Sequence, residues 1–299
     1  MPAQAEARCG FAGLGAMGAH MARNLKRAGL LHALWNRTPG KSESLAAELN
    51  CTAAATPAAL AASCEVLVLC VSADQDVLDV IEAMRPSLTA GQLLIDCSTV
   101  GAATAQRAAA TLAAQGVQFL DCPVSGGVEG ARDATLAIMC GGEAAAFARA
   151  QPVLGAMGRT ITHFGASGSG QAAKATNQIM CAGIIQAVAE AMAFAQAHQL
   201  PLDRLVDTLG KGAGSSWYFV HRAPNMIRGT YPPGFRVRLH AKDLGICKEM
   251  AARFGVALPV VERMLGEYAE LVRRGYGDED ISADFRLKSE LFANPSRDA

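Results

Sequence analysis

The chain has 299 residues, enough for two domains of about 100–200 residues each. Apolar residues make up 51% and charged residues 18%, which supplies a core and excludes the low-hydrophobicity, high-charge composition of disordered chains. Lys plus Arg and Asp plus Glu both number 27, so there is no basic excess for nucleic acid or an anionic membrane, and a small molecule is the expected partner.

From the N-terminus, Cys9–Ala12 reads as a short buried strand and Met17–Ala28 as a helix, with apolar positions at helical spacing. The alternation repeats through strand Ala33–Trp35, helix Lys41–Leu49, strand Val66–Val71 and helix Asp76–Met84. It continues through strand Leu93–Ile95, helix Ala102–Ala114 and strand Val117–Leu120. A strand over Thr135–Cys140, a helix near Ala144–Met157 and a strand near Thr160–His163 complete the sheet. Strands alternating with helices of this length predict right-handed β-α-β units and a mostly parallel sheet. The glycine-rich stretch Gly165–Gly170 ends this region. Gln171–His198 follows with only Lys174 and Glu190 charged, and a helix that apolar must be buried on most sides. Beyond it, Leu202–Leu209, Leu244–Phe254, Pro259–Arg274 and Ile281–Leu291 read as helices, with no convincing strand. An α/β domain over residues 1–165 is therefore expected, with a long connecting helix and an all-helical domain making up residues 166–299.

Nine cysteines sit mostly in these apolar runs, with no C-x-x-C pair and an odd count, so neither a zinc site nor a disulfide framework is expected. The six histidines show no metal-ligand spacing. The N-terminal MPAQAEARCGF lacks the apolar stretch of a signal peptide, about 7–15 residues. No uncharged apolar run approaches the ~20 residues of a membrane span. A soluble cytoplasmic protein is expected.

Gly13-Leu14-Gly15-Ala16-Met17-Gly18 is a G-x-G-x-x-G directly after the first strand and opening the first helix. Glycines there permit a tight turn and close approach of a pyrophosphate, which the N–H groups and dipole of the helix N-terminus hold. The placement is the context the motif requires, so it predicts dinucleotide binding. The end of the second strand selects the dinucleotide. An Asp or Glu there accepts from the ribose 2′-OH of NAD. This chain has Asn36-Arg37-Thr38, with Lys41 one turn on, and these offer a guanidinium, a hydroxyl and an ammonium to a 2′-phosphate. Charge-assisted bonds of about 1.5–3 kcal/mol each favour NADP(H), with NAD(H) as the lesser cofactor.

Beyond these motifs, DCPVSGGVEGARDATLAIMCGG, GSGQAAKATNQIM and FRVRLHAKDL follow in order. With GFAGLGAMGAHMARNLKRAG and WNRT they run nearly end to end, and the chain resembles the β-hydroxyacid dehydrogenase family. That family includes 3-hydroxyisobutyrate dehydrogenase and tartronate semialdehyde reductase. The resemblance implies a Rossmann-like domain joined by a long helix to an all-α domain, in agreement with the reading above. It also implies catalysis by a lysine of the long helix, matched by Lys174. Lys174, Asn177 and Gln178 stand at i, i+3 and i+4 and share one helix face. The hypothesised chemistry has Lys174 take the substrate hydroxyl proton in oxidation and return it in reduction. A base working near neutral pH calls for a lysine pKa below about 10.4, which burial supplies. Asn177 and Gln178 would orient substrate, Gln178 standing where some family members carry a second Asn.

The same resemblance makes Ser125-Gly126-Gly127 the substrate-carboxylate loop, a hydroxyl beside unhindered N–H groups forming a compact anion site. It brings Lys242, in His240-Ala-Lys-Asp-Leu, near the cofactor. Val71-Ser72 and Ser98-Thr99, after the strands Val66–Val71 and Leu93–Ile95, match cofactor-lining positions at strand ends that face the ligand crevice. The aromatic cluster Ser216-Trp217-Tyr218-Phe219 falls where the family shapes specificity, but an aromatic cluster is more often core than pocket, and core is the favoured reading. With the NADP(H) preference read from Arg37, Thr38 and Lys41, the resemblance implies an oxidoreductase for a small β-hydroxy acid or 4-hydroxybutyrate-like acid and its semialdehyde. The apolar interdomain helix and C-terminal positions that need covering make a homodimer or homotetramer the expectation. Related imine reductases typically lack the lysine, and non-enzymatic scaffolds of this fold can lose it, so Lys174 argues against both.

Overall fold

The computed structural model describes residues 8–293; residues 1–7, within the N-terminal segment expected to carry no signal peptide, lie outside them. Packing divides the chain into two compact units that meet in sequence between Lys174 and Ala175, inside the long helix.

The first unit is a nine-stranded sheet with helices on both faces. Its elements in order are β1 (Cys9–Ala12), α1 (Gly18–Arg27), β2 (Leu31–Trp35), α2 (Pro39–Leu49), β3 (Thr52–Ala53), α3 (Pro57–Ser63), β4 (Val66–Leu69), α4 (Asp74–Met84) and β5 (Leu93–Asp96). They continue as α5 (Ala102–Ala113), β6 (Gln118–Asp121), β7 (Val124–Ser125), α6 (Gly127–Arg132), β8 (Leu136–Gly142), α7 (Ala144–Gly155) and β9 (Gly158–Gly165), before α8 (Ser169–Ala197). The strand order is β3-β2-β1-β4-β5-β6-β8-β7, with β9 paired to β8. Pairing is parallel from β3 to β6 and between β8 and β9, and antiparallel where β8 meets β6 and β7.

The central strands are apolar on both faces because each face carries a core. In β4, Val66 and Val68 pack with Met21 and Leu25 of α1 and Leu154 of α7, while Leu67 and Leu69 pack with Leu60 of α3, Ile81 of α4 and Leu112 of α5. From β1 the chain runs outward to β2 and β3, then returns to β4 on the other side of β1. The reversal places a ligand crevice at the carboxyl ends of β1 and β4.

The second unit is helical, built on most of α8 with α9 (Leu202–Leu209), α10 (Trp217–Arg228), α11 (Val237–Ala252), α12 (Pro259–Arg273) and α13 (Phe285–Ala293). Ala182, Ile185, Ala189 and Met192 of α8 pack with Phe219 and Met226 of α10, Leu244 of α11, and Met264 and Tyr268 of α12. By length and composition α8 could cross a bilayer, yet it serves as the central core helix of this unit, with 44% of its most apolar window buried.

Elements the sequence left unassigned are short or carry breakers. Thr56 caps α3, accepting from the Ala59 N–H, and Pro57 fills its first turn. In α10, Pro224 masks a helix whose start is fixed by the Ser216 hydroxyl accepting from the Phe219 N–H. α11 begins at Val237 rather than Leu244, because the Val237 N–H donates to the Glu279 carbonyl and Arg236 bridges Asp280. Ile281–Leu291 divides into a 3-10 turn over Ile281–Asp284, capped by Asp280, followed by α13.

Candidate active site

The loop after β1 turns at Gly13, whose φ of +98° falls where side chains are strained, and a Cβ there would collide with the Cys70 carbonyl. Gly13 thus lets β1 and the loop after β4 close together at the crevice. At Gly15 the space a Cβ would enter is open, as approach of a pyrophosphate to the backbone requires. Gly15 and Ala16 are exposed, Met17 stands at the N-cap and α1 starts at Gly18, so the positive end of that helix faces the loop. The Leu14 N–H donates to Asn36 Oδ1 at 2.9 Å, tying the loop to the end of β2. Asn36 Nδ2 donates to the Thr38 carbonyl at 3.1 Å. The residues present fit a dinucleotide.

Beyond β2, Arg37 is 81% exposed, Thr38 takes the N-cap of α2 without using its hydroxyl as the cap, and Lys41 is exposed on the first turn. These three groups suit a 2′-phosphate. Sequence reasoning, which found no carboxylate here, missed one that opposes them: Asp76, on the first turn of α4, accepts from Arg37 Nη1 at 2.7 Å and competes for the guanidinium. Its distance in sequence concealed the pair.

The ends of β4, β5 and β6 are knitted together by polar groups. The Val71 N–H donates to Ser98 Oγ at 2.9 Å, and the Ser98 N–H donates to Asp96 Oδ1 at 2.9 Å. Burial pushes Asp96 up to about 7, against the pull of its Ser98 hydrogen bonds. Ser72 is exposed and Thr99 half-buried beside these groups. Ser125 ends β7 and Gly126-Gly127 turns into α6, with Ser125 and Gly127 half-buried and Gly126 exposed. Asp121 at the end of β6 is fully buried and accepts from the Gly168 N–H at 2.7 Å and the Gln171 N–H at 3.0 Å. Burial pushes its carboxyl above the usual carboxylate value, and the backbone N–H groups hold it down in part. Asp121 and Gln171 were also missed, although both stand inside motifs already singled out.

Lys174 lies on the second turn of α8 and is 6% exposed. One turn further, Asn177 and Gln178 belong to a polar set of the helical unit. Asn177 Nδ2 donates to Gln178 Oε1 at 2.8 Å, and Gln178 Nε2 donates to Asp243 Oδ2 at 2.7 Å. The Lys242 ammonium lies 2.9 Å from Asp243 Oδ1. Both ends of the Gln178 amide are therefore engaged, which suits it to holding Asn177 and Asp243 in place. The aromatic cluster divides: Tyr218 and Phe219 are buried in the core, while Trp217 is half exposed and stacks on His221.

A glycine turn of this form at the switch point of a doubly wound sheet makes the first unit a dinucleotide-binding domain of the Rossmann class. The family model described as the NAD binding domain of 6-phosphogluconate dehydrogenase matches residues 8–165. A second, described as NAD-binding of NADP-dependent 3-hydroxyisobutyrate dehydrogenase, matches residues 168–287. The chain belongs to the β-hydroxyacid dehydrogenase family, as an NAD(P)-binding oxidoreductase. The NAD-dependent L-serine dehydrogenase of Pseudomonas aeruginosa is 33% identical over 287 residues, covering 93% of this chain and 96% of the relative. The 2-hydroxy-3-oxopropionate reductase of Escherichia coli is 34% identical over 255 residues, covering 84% and 87%. The solved structure of Mycobacterium tuberculosis 3-hydroxyisobutyrate dehydrogenase with L-serine superposes with a TM-score of 0.85 at 31% identity, over 94% of this chain and 98% of that one.

Proposed function

We propose that this enzyme interconverts a small β-hydroxy acid, or a 4-hydroxybutyrate-like acid, and its semialdehyde, with NADP(H) preferred over NAD(H). The observation that carries the reading is the burial of Lys174 one turn before Asn177 and Gln178 on a single face of α8, an ammonium and two amides gathered on one side of a core helix. A bound nicotinamide supplies or accepts the hydride. Lys174 holds the proton at the substrate oxygen, taking it from the hydroxyl in oxidation and returning it in reduction. The Ser125 hydroxyl and the N–H groups of Gly126 and Gly127 bind the substrate carboxylate, and Asn177 orients the substrate oxygen. Gly13–Gly18, Asn36, Val71, Ser72, Ser98 and Thr99 line the cofactor, and Arg37, Thr38 and Lys41 select its 2′-phosphate. The reading includes a homodimer or homotetramer, supported by exposed apolar side chains of the helical unit, among them Met180, Phe194 and Leu291, and checked by sedimentation.

The test is oxidation of NADPH and NADH by the purified enzyme against tartronate, methylmalonate and succinate semialdehydes, with NAD(P)+ reduction on L-serine and L-threonate and a cyclic imine as control. Fast NADPH-dependent reduction of one semialdehyde is expected. A preference for NADH overturns the reading of Arg37, Thr38 and Lys41, and activity on the imine alone overturns the reaction class.

A further inference from the structure

We infer that Asp121 and Gln171 are positioning residues that set the register of Lys174 against the sheet; the inference rests on the reading of Lys174 as the proton-transfer group. The helix that carries Lys174 begins at Ser169, and the N–H groups of its first turn have no partners within the helix itself. At α3, α10 and the turn before α13 such groups are satisfied locally, by Thr56, Ser216 and Asp280, while at α5 the Gly101 N–H is held by Asp74 of the neighbouring helix α4. At α8 the cap comes from a strand end 47 residues upstream, Asp121 Oδ1 accepting from the Gly168 N–H at 2.7 Å. Asp121 Oδ2 accepts from the Gln171 N–H at 3.0 Å. A local cap satisfies the same donors; a cap on β6 also fixes the helix to the sheet.

The approach is tight. A Cβ on Gly170 would stand 2.8 Å from Asp121 Oδ2, and one on Gly141 would stand 2.7 Å from Oδ1. Gln171, 1% exposed, adds a second attachment: its Oε1 accepts from the Val100 N–H at 3.1 Å and its Nε2 donates to the Ser98 carbonyl at 2.9 Å. Ser98 in turn holds the Val71 N–H. A continuous set of bonds therefore runs from the loops after β4 and β5 to a residue three positions before Lys174. Residues at i and i+3 are neighbours on a helix, so a slide or tilt at Gln171 carries the Lys174 ammonium with it. Misplacing a catalytic group by about 1 Å can cost on the order of 100-fold in rate.

Asp121→Asn keeps the shape but replaces one acceptor oxygen by an amide NH2 that faces an N–H donor. It is measured in the wild type and in a Lys174→Ala background, with turnover on the semialdehyde panel, NADPH dissociation constants and melting temperature. Expected are a fall in kcat of about 10- to 100-fold with NADPH affinity within about twofold, and no added loss in the Lys174→Ala background. An equal loss in both backgrounds, or a lower melting temperature with unchanged kcat per NADPH-binding site, overturns the inference. Gln171→Met leaves the carboxylate cap intact and carries the same test where Asp121→Asn does not fold. Near-wild-type turnover of Lys174→Ala overturns the lysine assignment, and the positioning role with it, whereas an inactive Lys174→Ala beside a fully active Asp121→Asn overturns the positioning role alone.

Discussion

Shortening Lys174 to alanine removes the ammonium together with the demand for its partners, so the first unit should fold and bind cofactor while proton transfer is lost. Turnover of Lys174→Ala is expected to fall about 10²–10⁴-fold with NADPH affinity retained, measured by single-turnover rates and fluorescence titration. At the end of β2 the pair Arg37–Asp76 sets two opposite expectations. Arg37→Ala should raise KM for NADPH by about tenfold or more, the worth of one charge-assisted bond, and leave KM for NADH unchanged. Asp76→Asn frees the guanidinium from its 2.7 Å partner, and exposed pairs of this kind are worth about 0–1 kcal/mol. KM for NADPH should therefore fall by up to about fivefold; a rise in KM for NADH instead would make Asp76 a ribose-binding group. The glycine loop and the Arg37 cluster were legible in the sequence because their chemistry is local, a turn that needs glycine and three polar groups within five positions. Asp76, Asp121 and the Gln178–Asp243 bond were not, since those partners lie 39, 47 and 65 residues away and no spacing rule reaches that far, whereas the adjacent Lys242–Asp243 pair could be read from the sequence.

The helix α8 joins the two kinds of signal. Its length and apolar character were plain from a run with two charges, while its division between a sheet-bound start and a helical core followed only from packing. The short elements were hidden for another reason. β7 has two residues and α6 has six, too few for a period to register, and both are held by tertiary pairing with β8 and packing against α1. Along the buried face of α8, Ile185 is fully enclosed among side chains of the helical unit. Ile185→Ala should cost about 2–5 kcal/mol by loss of transfer energy and by the cavity left behind. Chemical denaturation should show the loss, and because the cofactor loop lies in the other unit, NADPH affinity should change little. A substitution that weakens NADPH binding as much as stability would mean that the helical core supports the cofactor loop directly.

Proton uptake links the folding of both units to pH. Asp96 in the sheet and Asp284 in the helical unit are fully buried, and burial pushes each up to about 7. At Asp284, Glu267 raises the carboxyl further and Lys288, itself bonded to Glu267, lowers it. Asp121 is raised in the same direction. An acid whose folded pKa is raised takes up a proton on folding between its ordinary value and the raised one, so stability declines as pH rises across that window and levels off above it. For Asp96 and Asp284 the window runs from about pH 4 to about pH 7. His20, lowered by burial, works against the decline, as one half-buried group against three buried carboxyls. On the acid side Glu48, Asp133 and Glu270 are held low by hydrogen bonds to Arg23, Arg132 and the Arg273–Arg274 pair, so their contribution is lost below about pH 4. The melting temperature should therefore peak near pH 4–5 and fall toward pH 8. Asp284→Asn, which cannot ionise, should melt higher than the wild type at pH 8 and close to it at pH 4.5 in scanning calorimetry. Parallel curves for the two proteins across that range would show that Asp284 is ionised in the folded enzyme and that Lys288 neutralises it.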